Sequence, residues 1–145
     1  MTYASRIIPS INRQGIEELA SLIEEAWCAD TSAAPSDQWS PELPEHGQCA
    51  VTALVVQDVL GGSLRRATVN GDSHYWNETP LGEIDLTRSQ FKEPLVIGEV
   101  IERDREYVLS NAATSERYLL LKSRLFDGID NDSDSGNVNV QDNSL

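Results

Sequence analysis

The first clear periodicity runs from about Arg13 to Cys28. Ile16, Leu19, Ala20, Ile23, Ala26 and Trp27 recur at helical spacing, and Glu17, Glu18, Glu24 and Glu25 fall on the other side. This predicts an amphipathic helix with its apolar stripe turned inward, capped by Ser10 or Asn12. Residues 29–47 break the pattern: Pro35, Pro41 and Pro44 exclude a long regular element. Periodicity then gives way to continuous apolarity. Ala50, Val51, Ala53, Leu54, Val55, Val56, Val59 and Leu60 leave almost no polar face before Gly61-Gly62. A helix of that kind, opening at Gln48 or Cys49, belongs in the middle of a core, with the glycine pair as its stop.

Beyond Gly62 the pattern turns to short strands. One is expected at 64–69, followed by an Asn70-Gly71-Asp72 turn and a strand at 74–77. A second turn over 78–82 leads to a returning strand at 83–87, where Ile84 and Leu86 share one face and Glu83, Asp85 and Thr87 the other. A further strand is expected at 95–101, and a closing helix at 115–126 with Tyr118, Leu121 and Leu125 on one stripe. The alternating charges Glu102-Arg103-Asp104-Arg105-Glu106 read as an exposed surface. The fold class is therefore α+β, with a central helix that bears Cys49 packed on a small antiparallel sheet.

Composition sharpens this outline. At 145 residues and 39% hydrophobic content the chain suffices for one core, placed at residues 1–126. Residues 127–145 hold five aspartates and no lysine or arginine, and read as a disordered acidic tail. Eleven basic residues against 24 acidic ones give a net charge of −13. Such a protein is repelled by nucleic-acid phosphates and anionic membranes. No apolar run matches a membrane helix or a secretory signal, and two cysteines make no disulfide framework. The expected setting is the cytoplasm.

The chemistry concentrates at Cys49. A thiol at a helix N-terminus feels the positive end of the helix dipole and unpaired N–H groups, which favour thiolate and can hold an oxyanion. Gly47 would let a substrate approach the backbone. A cysteine nucleophile needs a base, and the base an orienting acceptor. His74 and Asp85 sit 11 positions apart on strands expected to pair, which suits an imidazole–carboxylate couple. Gln48, His46 and Trp39 are candidate oxyanion or cleft residues, and Trp76, on the strand face of His74, is a candidate groove wall. Cys28, beside Trp27, reads as an ordinary core or surface thiol. A zinc site from Cys28, His46, Cys49 and His74 is disfavoured because it lacks two knuckles of closely spaced ligands. No cofactor is implied.

The run 47–58, Gly61-Gly62, Ser73-His74-Tyr75-Trp76-Asn77 and the run 84–91 resemble the YunG-like family of small bacterial proteins, over about residues 27–125. That resemblance implies no substrate. A looser similarity runs to transglutaminase-like and papain-like thiol enzymes, which place a Cys on a central helix and then His and Asp on successive strands. It implies a thiol-hydrolase or acyltransferase activity on an amide or ester (peptidase, amidase, deamidase or transglutaminase-like), with a peptide or protein as a possible substrate. The 25-residue interval from Cys49 to His74 is shorter than in those enzymes, and Leu43-Pro44-Glu45 offers no glutamine in the papain manner. The alternative is a non-catalytic module that binds a peptide or partner on the same fold.

Overall fold

The computed structural model describes residues 13–35 and 37–133, with side chains through Phe126. In chain order the elements are α1 (Arg13–Ala26), a 3-10 turn (Ala29–Thr31), α2 (Cys49–Leu60), β1 (Ser63–Val69), β2 (Asp72–Thr79), β3 (Gly82–Ile84), a second 3-10 turn (Arg88–Gln90), β4 (Ile101–Arg103), α3 (Arg105–Leu109) and α4 (Ala112–Ser133). The four strands form one antiparallel sheet in the order β3-β2-β1-β4. The caps expected at Ser10 or Asn12 lie outside the described residues.

The apolarity of α2 has the expected consequence. Val51 to Val56, Val59 and Leu60 are all buried, and the helix lies between the sheet and α4. Ile23 from α1, Leu54 and Leu60 from α2, Leu64 from β1 and Leu121 from α4 close the core, each with no more than 1% of its surface exposed. Truncating such a side chain to alanine costs about 2–5 kcal/mol. Two polar bonds orient the central helix. Trp27 Nε1 donates to Thr52 Oγ1 at 2.9 Å, and Asn77 Nδ2 donates to the Ala53 carbonyl at 2.9 Å. Asn77 therefore fixes which face of β2 meets α2, and His74 and Trp76 alternate away from it. At the far end of α2, Gly62 (φ +84°) passes so close to β2 that a Cβ there would sit 2.1 Å from the Glu78 carbonyl oxygen.

Several expected boundaries differ. The strand at 74–77 is longer, because the turn into β3 is only Pro80-Leu81 and the ladder reaches Thr79. The strand expected at 95–101 is instead β4 at Ile101–Arg103, preceded by one isolated bridge between Val69 and Ile97. Asn70 explains this: its backbone N–H donates to the Val96 carbonyl at 2.9 Å and its Oδ1 accepts from Val96 N at 2.8 Å. Those turn contacts replace a ladder, and Val96 is left 69% exposed. The closing helix continues to Ser133, into the segment read as a tail; residues 134–145 lie outside the described residues. Among the described residues no helix is long and apolar enough to cross a membrane.

The charged run 102–106 is not simply a solvated face. Arg105 pairs with Asp58 at 2.7 Å and donates to Tyr118 Oη at 2.7 Å and Gln57 Oε1 at 2.9 Å, tying α3 to α2 and α4.

Candidate functional site

Three loops converge on the first turn of α2. The helix begins at Cys49, with Gln48 as its cap residue, and no side-chain bond caps it. The reason is that Gln48 is engaged elsewhere. Fully buried, it accepts from Thr31 Oγ1 at 2.8 Å and donates Nε2 to the Cys28 carbonyl at 3.0 Å. Gln48 therefore anchors the 28–31 turn to the helix and does not offer its amide to a cleft, which corrects the expectation for it.

Gly47 is likewise structural. Its φ is +77°, and a Cβ would lie 2.3 Å from Ser32 Oγ and 2.5 Å from Ala34 N. The glycine is required by the neighbouring loop rather than by an approaching substrate. Its N–H donates to Gln90 Oε1 at 3.3 Å, and Ser89 Oγ donates to Glu45 Oε2 at 2.8 Å. These two bonds hold the segment after Asp85 against the segment before Cys49.

His74 and Asp85 meet as their spacing suggested, though not from two paired strands. β3 ends at Ile84, one residue short of Asp85, and pairs only with Asn77–Thr79. Freed from the ladder, Asp85 turns its carboxylate to His74, with Oδ2 2.7 Å from Nε2. Arg88 Nε donates to the same oxygen at 2.7 Å, and Thr87 N donates to Oδ1 at 3.2 Å. Burial alone would raise the Asp85 pKa, but the bonds from His74 and Arg88 outweigh it and hold the carboxyl below its usual range.

The imidazole is enclosed, with no exposed surface. Trp76 stacks on it at 5.7 Å between centroids and Phe91 packs edge-on at 4.9 Å. Burial alone would depress the His74 pKa, yet the Asp85 carboxylate and the Cys49 sulfur together push it up to about 9. Nδ1, the other ring nitrogen, is buried and completes no hydrogen bond within the protein. With Nε2 committed to Asp85, Nδ1 is the nitrogen free to face Cys49. Cys49 is half-buried and lies beside the start of β2, where Sγ is 4.0 Å from the Ser73 carbonyl oxygen.

The remaining candidates divide. Trp76 is only 3% exposed and donates Nε1 to Glu83 Oε2 at 2.6 Å. It backs His74 instead of lining an open groove, because Arg88 covers its face at 5.6 Å. Trp39 donates Nε1 to the Pro44 carbonyl at 3.0 Å and braces the 39–44 loop. His46 is half-buried, with its backbone carbonyl accepting from Ser32 Oγ at 2.7 Å. Among the described residues no three His, Cys, Asp or Glu side chains group to hold a metal ion.

Two residues escaped the sequence reading. Phe91 closes one side of the imidazole, and nothing in its local pattern marks that role. Gln90 holds Gly47 through Oε1, leaving Nε2 buried and unpartnered. The signal for it was its position five residues after Asp85, on the segment that must fold back over His74.

A protein of Bacillus subtilis (strain 168), "Uncharacterized protein YunG", is 34% identical over 80 residues, which make up 55% of this chain and 66% of that protein. The match thus spans just under two-thirds of that relative's length. No solved structure matches. The family model described as YunG protein matches residues 15–130, a span that takes in Cys49, His74, Asp85 and every described element from α2 to α3. The chain belongs to the YunG family.

Proposed function

We propose that the protein is a cysteine-dependent acyl-transfer enzyme, a hydrolase or acyltransferase acting on an amide or ester, on a core related to the papain-like and transglutaminase-like enzymes. One observation carries the reading: a buried imidazole has one nitrogen fixed on a carboxylate and the other without a partner from the rest of the fold, and the sulfur of a cysteine at a helix N-terminus is near enough to favour the ring's charged form. Nucleophile, base and orienting group then have their required order.

In the proposed cycle His74 carries the proton of Cys49 as an imidazolium. The sulfur attacks the acyl carbon, forming the C–S bond as the carbonyl electron pair moves to oxygen. The N–H groups of the first turn of α2, uncapped by Gln48, are suited to that oxyanion. Collapse breaks the C–N or C–O bond, and His74 delivers its proton to the leaving amine or alcohol. Neutral His74 then takes a proton from water, or from an acceptor amine, which attacks the thioester and releases the Cys49 sulfur. Asp85 holds the ring's orientation and favours its charged form throughout.

The test is alkylation of Cys49 by iodoacetamide across pH, with Cys28 as the internal comparison, in the wild type and in His74→Ala. The reading expects Cys49 to react far faster than Cys28 near pH 6, and His74→Ala to remove the advantage. Equal pH profiles for the two thiols, indifferent to His74, would overturn it.

A second reading, a non-catalytic binding module, is favoured by one feature: His74 has no exposed surface. It expects Cys49→Ala to retain both fold and biological function, whereas the enzymatic reading expects loss of function with the fold intact.

A further inference from the structure

A cleft of about 420 Å³ opens next to the first turn of α2, lined by Ala50, Tyr75, Tyr107, Ser110, Asn111 and neighbours. Ala50 is the residue after Cys49 on α2, and Tyr75 shares its face of β2 with Ser73, whose carbonyl oxygen lies 4.0 Å from Cys49 Sγ.

The charges around this cleft run against those of the whole chain. The protein carries 24 acidic and 11 basic residues, so an arginine has ample opportunity for a carboxylate partner, and Arg65, Arg88 and Arg105 each take one. Arg66 and Arg103 do not. Both act on the Tyr75 hydroxyl, favouring its ionised form against the larger effect of burial. Arg66 Nε donates to Ser73 Oγ at 3.0 Å, on the residue whose carbonyl oxygen lies beside Cys49 Sγ. Arg103 lies over the Tyr107 ring at 4.3 Å, and its Nε is buried with no hydrogen-bond partner. Among the described residues neither guanidinium forms an ion pair. A buried, unpaired guanidinium N–H in so acidic a chain is costly unless something else satisfies it.

We infer that this cleft is a subsite for a carboxylate borne by the acyl substrate, with Tyr75, Ser110 and Asn111 as its neutral hydrogen-bonding groups and, behind its lining, two cations: Arg66, the register partner of Tyr75, and Arg103, stacked on Tyr107. The inference rests on Cys49 being the nucleophile. It narrows the substrate from any amide or ester to one with an anionic group close to the reacting carbonyl. Planar guanidinium groups suit a carboxylate, which they can grip through two parallel bonds. The net negative charge of the chain disfavours such a substrate in general, and two arginines without a carboxylate partner oppose that locally at this cleft.

The probes are iodoacetate and iodoacetamide, which present the same alkylating carbon with and without a carboxylate. Their rate ratio at Cys49 cancels the thiolate fraction, and Cys28 in the same molecule with N-acetylcysteine in solution gives the unassisted ratio. We expect the iodoacetate-to-iodoacetamide ratio at Cys49 to exceed both references by roughly three- to tenfold, the size of one partly screened charge interaction. Arg66→Gln and Arg103→Gln should each reduce that excess and Arg103→Lys should retain most of it, with the ratio at Cys28 unmoved. Raising the salt to about 0.5 M should shrink the excess in the wild type, a reading that needs no variant to fold. A Cys49 ratio equal to the references, with iodoacetamide reactivity still dependent on His74, overturns the subsite and leaves the nucleophile standing. An excess that persists in both glutamine variants assigns the preference to His74 and also overturns the subsite. Failure of Cys49 to react with either reagent removes the nucleophile, and the subsite with it.

Discussion

His74 Nε2 lies 2.7 Å from Asp85 Oδ2, although the strand leading to Asp85 ends one residue earlier. The carboxylate reaches the ring because it has left the ladder. Within a continued strand its oxygens would be fixed by the pleat, whereas here Thr87 N and Arg88 Nε aim it. Asp85→Asn keeps the shape but removes the charge, so the His74 pKa should fall from about 9 toward or below its ordinary 6.5. The chain has only two histidines, so an NMR titration resolves the change directly. Any Cys49-dependent turnover should drop by about 10²–10⁴-fold. A variant with an unmoved His74 titration would show that Asp85 does not set the ring's charge.

The same couple makes stability depend on pH, with a definite sign. A histidine whose pKa rises on folding stabilises the native state fully below 6.5 and ceases to do so as pH climbs through about 9. Asp85 acts at the other end: its pKa falls on folding, so its contribution is present above the ordinary carboxyl range and is lost as pH drops through its depressed value. Denaturant midpoints measured from pH 6 to pH 10 should therefore decline on the alkaline side. His74→Gln should flatten that decline, by an amount on the order of a few kcal/mol.

Gly47 and Gly71 separate conformational strain from steric exclusion. Both have positive φ, +77° and +88°, but a Cβ at Gly71 meets nothing within 4 Å while one at Gly47 meets Ser32 and Ala34. Gly71→Ala should cost about 1 kcal/mol, the penalty for a left-handed alanine. Gly47→Ala should cost more, about 2–4 kcal/mol, because Ser32 or the backbone at Ala34 must move. It should also alter the alkylation rate of Cys49, two residues on. Equal thermal shifts in the two variants would contradict the packing seen at Gly47.

How much of this the sequence disclosed follows from range. Continuous apolarity from Ala50 to Leu60 specified a central helix because no other placement buries every side. The spacing of His74 and Asp85 pointed to a hairpin contact because a short turn permits little else. Gln48 was misread since a polar residue just before a helix looks like a cap or a donor, and its partners Thr31 and Cys28 lie across a 17- and a 20-residue separation. Trp76 was expected at a groove because its strand face was legible, but the Arg88 and Phe91 cover over that face was not. The run 102–106 alternates sign like any solvated segment, and only the docking of α3 on α2 and α4 reveals that Arg105 is partnered.

That last cluster supplies a sharp test of polar coupling inside the core. Tyr118 Oη donates to Asp58 Oδ2 at 2.5 Å and accepts from Arg105, which itself pairs with Asp58 at 2.7 Å. Burial and the Asp58 carboxylate push the Tyr118 pKa up to about 12, and Arg105 opposes them. Arg105→Met should therefore raise that pKa further in an ultraviolet titration, while Asp58→Asn lowers it. Both groups are about one-quarter exposed, so solvent softens the loss. Arg105→Met should still cost about 2–3 kcal/mol, because it strands the Asp58 charge against α4. Asp58→Asn should cost less, since its amide can still accept from Tyr118. If the three groups form one unit, the double variant Arg105→Met/Asp58→Asn is less destabilised than the two single losses added, by about 1 kcal/mol or more. Strict additivity in denaturant unfolding would mean that α3 is held by its apolar contacts, Val108 above all, and that the charged network contributes no coupling.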